Sequence, residues 1–378
     1  MIEAFTKDFL ELVKAGLWGK RSPILSSKFD VSSEIDWNVV YQLAQEQSVQ
    51  GLTLQGIEHS DRKPPKVLLL QWIGEVQMIE QRNKEMNVFV ADFIIKLQKA
   101  DVYAILVKGQ GIAQCYEKPL WRSFGDVDLF LSDNNYEKAK SLLMPMASHV
   151  DEEGISEKHL GMTIDGYVVE LHGTLHSGLS SKVDGVLDEV KNDTFNKGNV
   201  RSWDNNGVQV FLLGAENNVF YVFTHFLQHF YKEGVGLRQI CDWCRLLYTY
   251  RDSLNCELLE KLVQRAGLMS EWKVFGVLAI EYLGFPKEYM PFLNANDYLN
   301  ANLKKKADRI IEFIMRSGNM GHNRDSSYMR YPYLVRKCFS MARRIGDLIN
   351  HARIFPLDSL RFFPYMMFNG VRSAMRGE

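Results

Sequence analysis

At 378 residues the chain is long enough for two or three packed units and a large core, which excludes a miniature scaffold. With 46% hydrophobic and 24% charged residues it sits near the globular average, and a net charge of -1 excludes global attraction to nucleic acid, so any polyanion binding is local. Five cysteines form an odd set without dense spacing, and Glu3, Asp8 and Glu11 stand where a secretory signal would be basic and then apolar. A reducing, cytoplasmic setting is the expectation, and the longest apolar runs, such as Val274 to Ile280, fall far short of the roughly 20 residues needed to cross a bilayer.

From Phe5 to about Leu97 the apolar residues recur at three and four, predicting an all-helical lead-in (residues 1–100). Asp36 is placed to cap the helix of DWNVVYQLAQEQ, and Lys63-Pro64-Pro65 separates the first helices from a long one running up to Asp101. The texture changes at Tyr103. YAILV reads as a buried strand, GIAQCY as a short helix, VDLFL as a second strand, and NNYEKAKSLLMPM as an amphipathic helix capped by Asn134 or Asp133. In HLGMTIDGYVVELHGTLH the Asp165-Gly166 pair predicts a tight hairpin, and after a polar loop from Asn192 to Gly207 the run VQVFLL predicts one more strand. An α+β core of about 101–213, a mixed sheet with helices, is thus expected between the lead-in and a helical region from Ala215 onward (214–378).

Asp126 and Asp128 are two apart on the second strand, so their carboxylates leave one face about 6.6 Å apart, two rises of about 3.3 Å. At an effective dielectric near 20, two such charges at about 6 Å repel by roughly 3 kcal/mol, which calls for a cation, a shared proton or an arginine. Val127, Leu129 and Leu131 cover the other face. Two readings follow. In one, the aspartates end a strand at the solvent edge with Arg122 as ion-pair partner. In the other, Glu170 of YVVELH joins them from a neighbouring strand, with His172 on its own face, and the three carboxylates make an oxygen-rich pocket suited to Mg²⁺ or Mn²⁺ rather than zinc. The turn Lys108-Gly109-Gln110-Gly111 offers backbone N–H groups at a helix start for a phosphate, and Lys108 and Arg122 each bring a positive charge.

LVKG, a short helix, Arg122, GDVDLFL and a later VELH strand together resemble the DNA polymerase beta-type nucleotidyltransferase fold. More narrowly, they resemble a largely uncharacterised bacterial nucleotidyltransferase family with an LKG-to-R-x-x-x-D-x-D core between helical regions. The DWNVVYQLAQEQSVQ lead-in and the later H-x-x-x-H and D-W-C-R-L-L segments are similar to that family too, over about three quarters of the chain. The resemblance implies two-metal transfer of a nucleoside monophosphate from an NTP, ATP among them, to a hydroxyl or similar acceptor, with pyrophosphate leaving. It implies that Asp126 and Asp128 hold the metals, Glu170 ligates the catalytic metal and helps deprotonate the acceptor, and Lys108 to Gly111 cradle the phosphates, with Arg122 contacting the triphosphate or bracing the aspartates. One departure stands out. Gly109 is followed by Gln110, where enzymes of this type carry a serine that helps hold the terminal phosphates, and this leaves a non-catalytic, nucleotide- or partner-binding member of the fold, such as half of a toxin and antitoxin pair, as the alternative.

Other motifs carry weaker chemistry. His225 and His229 have the i, i+4 spacing of a zinc site, but Phe226 stands where a metalloprotease carries glutamate, and a core role is the plainer reading. His172 and His176 repeat the spacing at a strand end, with His172 as a possible partner of Glu170. Cys241 and Cys244 form C-x-x-C within a helix and without a second pair, which predicts buried thiols. Arg238 and Asp242, i and i+4 on that helix, form either a solvated ion pair or a contact to nucleotide or acceptor. From Arg330 to Glu378 there are nine Lys or Arg against three acids, interleaved with Phe339, Phe355, Phe362, Phe363 and Tyr365; packing of a helical subdomain is favoured over an RNA, acidic-protein or anionic-membrane partner.

Overall fold

The computed structural model describes residues 4–19, 35–153, 158–232, 234–319, 330–331 and 333–376; Glu3, Glu378 and the side chain of Cys338 lie outside the described residues. Among the described residues four helices lead: α1 (Ala4–Trp18), α2 (Trp37–Glu46), α3 (Gln50–Glu58) and the 34-residue α4 (Lys66–Lys99). Asp36 caps α2 by accepting from the N–H groups of Asn38 and Val39, and α4 begins directly behind Pro65. Helices α1 and α3 cross in near contact, because a Cβ on Gly56 would stand 1.9 Å from the Leu12 carbonyl oxygen and one on Gly16 2.0 Å from that of Leu52.

The sheet has seven strands: β1 (Ala104–Val107), β2 (Asp126–Leu131), β3 (His149–Val150), β4 (His159–Ile164), β5 (Tyr167–His172), β6 (Val200–Asn205) and β7 (Val208–Leu213). Their order is β3-β4-β5-β2-β1-β7-β6, with β1 parallel to β7 and β2 parallel to β5, and the other pairs antiparallel. Between β1 and β2 lie the short α5 (Gly109–Ala113) and a 3₁₀ turn at Pro119–Trp121. Helix α6 (Asp133–Leu143) follows β2. Ser132 occupies its N-cap position, and the side chain of the expected cap Asp133 is instead held by the ammonium groups of Lys158 and Lys191 at 2.8 and 3.0 Å.

Asp165 (φ 50°) and Gly166 (φ 82°) both take positive φ, closing the tight β4–β5 hairpin that their sequence predicts. The stretch expected as a loop from Asn192 to Gly207 is different. It contains the end of α7 (Ser181–Phe195) and the whole of β6, and Asn206-Gly207 (φ 56° and 83°) closes a second hairpin of the same kind. α7 buries Val183, Val186, Leu187 and Val190, an i, i+3, i+4, i+7 stripe, and starts at Ser180, whose hydroxyl accepts from the N–H of Val183.

Among the described residues eight helices follow the sheet: α8 (Ala215–Lys232), α9 (Leu237–Tyr250), α10 (Cys256–Ala266), α11 (Met269–Leu283), α12 (Ala295–Leu299), α13 (Ala301–Ser317), α14 (Tyr333–Ala352) and α15 (Pro356–Arg376). One face of the sheet (Leu106, Val127, Leu129, Val169, Leu212) packs on α4 and α6. The other, through Ile105, Phe130 and Leu213, joins a continuous core with α7, α8 and the aromatic centre Phe223, Trp243 and Trp272. Phe355 and Phe362 are buried in this core and Phe339 is exposed, so the C-terminal aromatics divide between packing and surface. Among the described residues no helix is long and apolar enough to cross a membrane.

Candidate active site

The period of two on β2 points Asp126 and Asp128 to the side of Phe130, toward α8 and α9, while Val127 and Leu129 go to the α4 side. Parallel pairing with β5 sets Asp128 opposite Glu170. Ligand atoms of Asp126, Asp128 and Glu170 lie within 4.8 Å of one another, at the wall of a cavity of about 440 Å³ roofed by α8 and α9.

These carboxylates are not balanced by Arg122. Lys108, at the end of β1, places its Nζ 2.6 Å from Asp128 Oδ1. Burial alone would lower the lysine's pKa, but the nearby carboxylates, Asp128 foremost, raise it above the ordinary lysine range. Its backbone is held at φ 57° and ψ −143°, a region that non-glycine residues rarely enter and that costs on the order of 1–3 kcal/mol. His172 Nε2 lies 2.8 Å from Asp128 Oδ1 and 3.4 Å from Glu170 Oε2, and His159 Nε2 lies 3.2 Å from that same Glu170 oxygen. Hydrogen bonds from His159 and His172 hold Glu170 well below the usual carboxylate range. His172 is raised: burial opposes its charge, but the bonds to Asp128 and Glu170 outweigh that. Burial, then the charge of Asp128, pushes Asp126 up. Tyr221 on α8, also lining the cavity, is pushed up to about 12, chiefly by burial.

Arg122 is spoken for elsewhere. Its Nε and Nη2 donate to the two carboxylate oxygens of Asp242 at 2.7 and 2.6 Å, and the Tyr116 hydroxyl donates to Asp242 at 2.8 Å. The expected i, i+4 pair of Arg238 with Asp242 therefore gives way to a long-range fork, which is buried rather than solvated; Arg238 instead donates to the Ser123 carbonyl at 2.6 Å. Asn83 on α4 fixes the same segment, donating to the carbonyls of Leu120 and Arg122 at 2.7 and 2.9 Å.

Of the residues expected at a nucleotide site, Lys108, Gly109, Arg122, Asp126, Asp128, Glu170, His172, Arg238 and Asp242 all line the cavity. Gln110 and Gly111 do not. Gln110 is buried, and neither its amide oxygen nor its nitrogen has a hydrogen-bond partner. His225 and His229 line the cavity from α8 with their Nε2 atoms 3.2 Å apart, and burial holds His225 well below its ordinary pKa. Among the described residues the sets of three or more donors close enough to hold one ion are Asp126–Asp128–Glu170 and His159–Glu170–His172, and neither His225 with His229 nor the buried Cys241 with Cys244 gains a third such donor. His176 binds Asp188 at 2.8 Å. His159, Tyr221 and the α8 histidines are the additions that the strand motifs did not bring to the site. His159 was open to inference, since a two-residue turn at 165–166 pairs 159 with 172.

No curated protein and no solved structure matches the chain. A family model described as uncharacterised nucleotidyltransferase matches residues 33–284, a span from just before α2 to the end of α11 that contains the whole sheet and every cavity residue named above. The chain belongs to this uncharacterised nucleotidyltransferase family.

Proposed function

We propose that the protein transfers a nucleoside monophosphate from an NTP to an acceptor hydroxyl, with a divalent cation, Mg²⁺ or Mn²⁺, held by Asp126, Asp128 and Glu170. The carrying observation is the convergence of these three carboxylates within 4.8 Å in one cavity beside a lysine. Three hard oxygen donors fit a hard cation, and their mutual repulsion is a reason for one to bind. When bound, such a cation stabilises negative charge developing on the phosphoryl oxygens.

The chain's own groups have separable tasks. The acceptor hydroxyl gives its proton to a carboxylate of the set, its oxygen attacks the α-phosphorus, the bond from that phosphorus to the bridging oxygen breaks, and pyrophosphate leaves. Lys108 exchanges Asp128 for a phosphate oxygen of the triphosphate. Arg122 braces: its fork with Asp242 fixes α9 against the segment leading into β2, so the arginine acts through position and not on the triphosphate. Glu170, whose pKa two imidazoles hold low, is suited to keep its charge for a cation. The opposite wall carries Thr224, Gln228 and His225, which favours a polar acceptor.

Gln110 supports a second reading. Its side chain lies off the cavity, so the turn lacks the phosphate-holding side chain expected there, consistent with a protein that binds nucleotide without turning it over. Incubation of the protein with labelled NTPs, Mg²⁺ or Mn²⁺ and cell extract separates the two. Transfer of label or release of pyrophosphate, reduced at least about 100-fold in Asp128→Asn, supports the transferase. Unchanged turnover in that variant refutes it, and metal-dependent binding with no turnover establishes the second reading.

A further inference from the structure

We propose that His159, Glu170 and His172 form a second cation site, of mixed nitrogen and oxygen character, which takes a borderline transition ion of the Zn²⁺ class beside the all-oxygen set. The inference rests on the reading above only through the shared Glu170.

The β4–β5 hairpin builds it. Register across the Asp165-Gly166 turn pairs His159 with His172, and their rings lie 4.8 Å apart between centroids. Both Nε2 atoms approach one oxygen, Glu170 Oε2, at 3.2 and 3.4 Å, and ligand atoms of all three residues fall within 4.8 Å. Charge-assisted N–H to carboxylate bonds are shorter, about 2.7–2.9 Å. Donors on a tetrahedral ion with ligands at about 2.0–2.1 Å stand roughly 3.3 Å from one another, so the two edges, hydrogen bonds as the side chains stand, are also those of a coordination shell.

Two imidazoles and one carboxylate disfavour Mg²⁺, which demands oxygen, and suit zinc and its neighbours, leaving a fourth position open to water or a phosphate oxygen. Ligation through His172 Nε2 replaces its 2.8 Å contact to Asp128, which keeps Lys108 as a partner. The site opens to solvent at the sheet's β4 side, where the His159 side chain is 40% exposed, giving an ion a route in.

Co²⁺ titrated into metal-free full-length protein provides the test. Expected are about one Co²⁺ per chain with the visible ligand-field absorption of a low-coordinate centre, displacement by Zn²⁺, and resistance to excess Mg²⁺. His159→Gln weakens Co²⁺ binding at least about tenfold, with the unfolding midpoint reporting that the variant folds. Equal Co²⁺ affinity in wild type and His159→Gln, or ready displacement by Mg²⁺, overturns the proposal. Asp126→Asn lies outside the donor set and should keep the cobalt spectrum. If that variant also keeps full NTP turnover, the transferase reading fails while the mixed site stands.

Discussion

Replacing Asp242 by alanine strands the Arg122 guanidinium in the interior. Both side chains of the pair are 5% exposed, so water does not screen the charge that is left. The removed carboxylate takes two hydrogen bonds from Arg122 and one from Tyr116, and Arg238, whose pKa burial and the charge of Arg122 already depress, loses the anion that separates it from a like charge. Breaking a buried pair from one side costs about 3–5 kcal/mol, and the orphaned Tyr116 hydroxyl adds about 1 kcal/mol. Urea unfolding should therefore place Asp242→Ala about 4–6 kcal/mol below wild type at unchanged slope. The double variant Arg122→Met/Asp242→Leu, which replaces charge by volume, should return to within about 1–2 kcal/mol of wild type, a recovery of at least about 2 kcal/mol. It should also bind NTP as wild type does, since Arg122 acts by bracing. A cost under about 1 kcal/mol in Asp242→Ala refutes the energetic argument, and loss of NTP binding in a stable double variant refutes the bracing role.

Two further outcomes test the scaffold. Burial, then the charge of Asp358, pushes Glu271 up to about 8 from an ordinary value of 4.5, so the fold holds a proton that the unfolded chain releases; this stabilisation is complete below about pH 4.5 and lost as pH rises to about 8. Glu271→Gln should flatten that part of the profile and gain a few kcal/mol at pH 8; a difference curve constant from pH 5 to 8 argues against it. Gly56→Ala drives a methyl group to 1.9 Å from the Leu12 carbonyl oxygen, against backbone with no rotamer to yield, and should cost at least about 3 kcal/mol in thermal unfolding; a shift of a degree or two contradicts the close α1–α3 crossing.

Periodicity and turn chemistry made much of the sheet legible. A period of two brings Asp126 and Asp128 to one face, and Asp165-Gly166 fixes the hairpin that carries Glu170. The same logic applied to Asn206-Gly207 finds β6, where a polar composition favoured a loop because the strand lies at the sheet's edge and exposes Ser202 and Asp204. Arg122 and Asp242 are 120 residues apart, and no local pattern pairs them. Lys108 was visible as a positive charge at a turn but not as the partner of Asp128, because that contact depends on a backbone conformation that a lysine takes only under tertiary constraint.

Lys108 has a thermodynamic consequence. In the proposed reaction a cation entering the carboxylate set competes with its ammonium for Asp128, and a phosphate that draws the ammonium away would leave Asp128 to the cation. Each ligand removes the other's competitor, so by reciprocity each should tighten the other's binding by one shared factor. In the absence of both, the lysine offsets one of the three carboxylates, Asp128, and so lessens the negative charge that an approaching triphosphate meets.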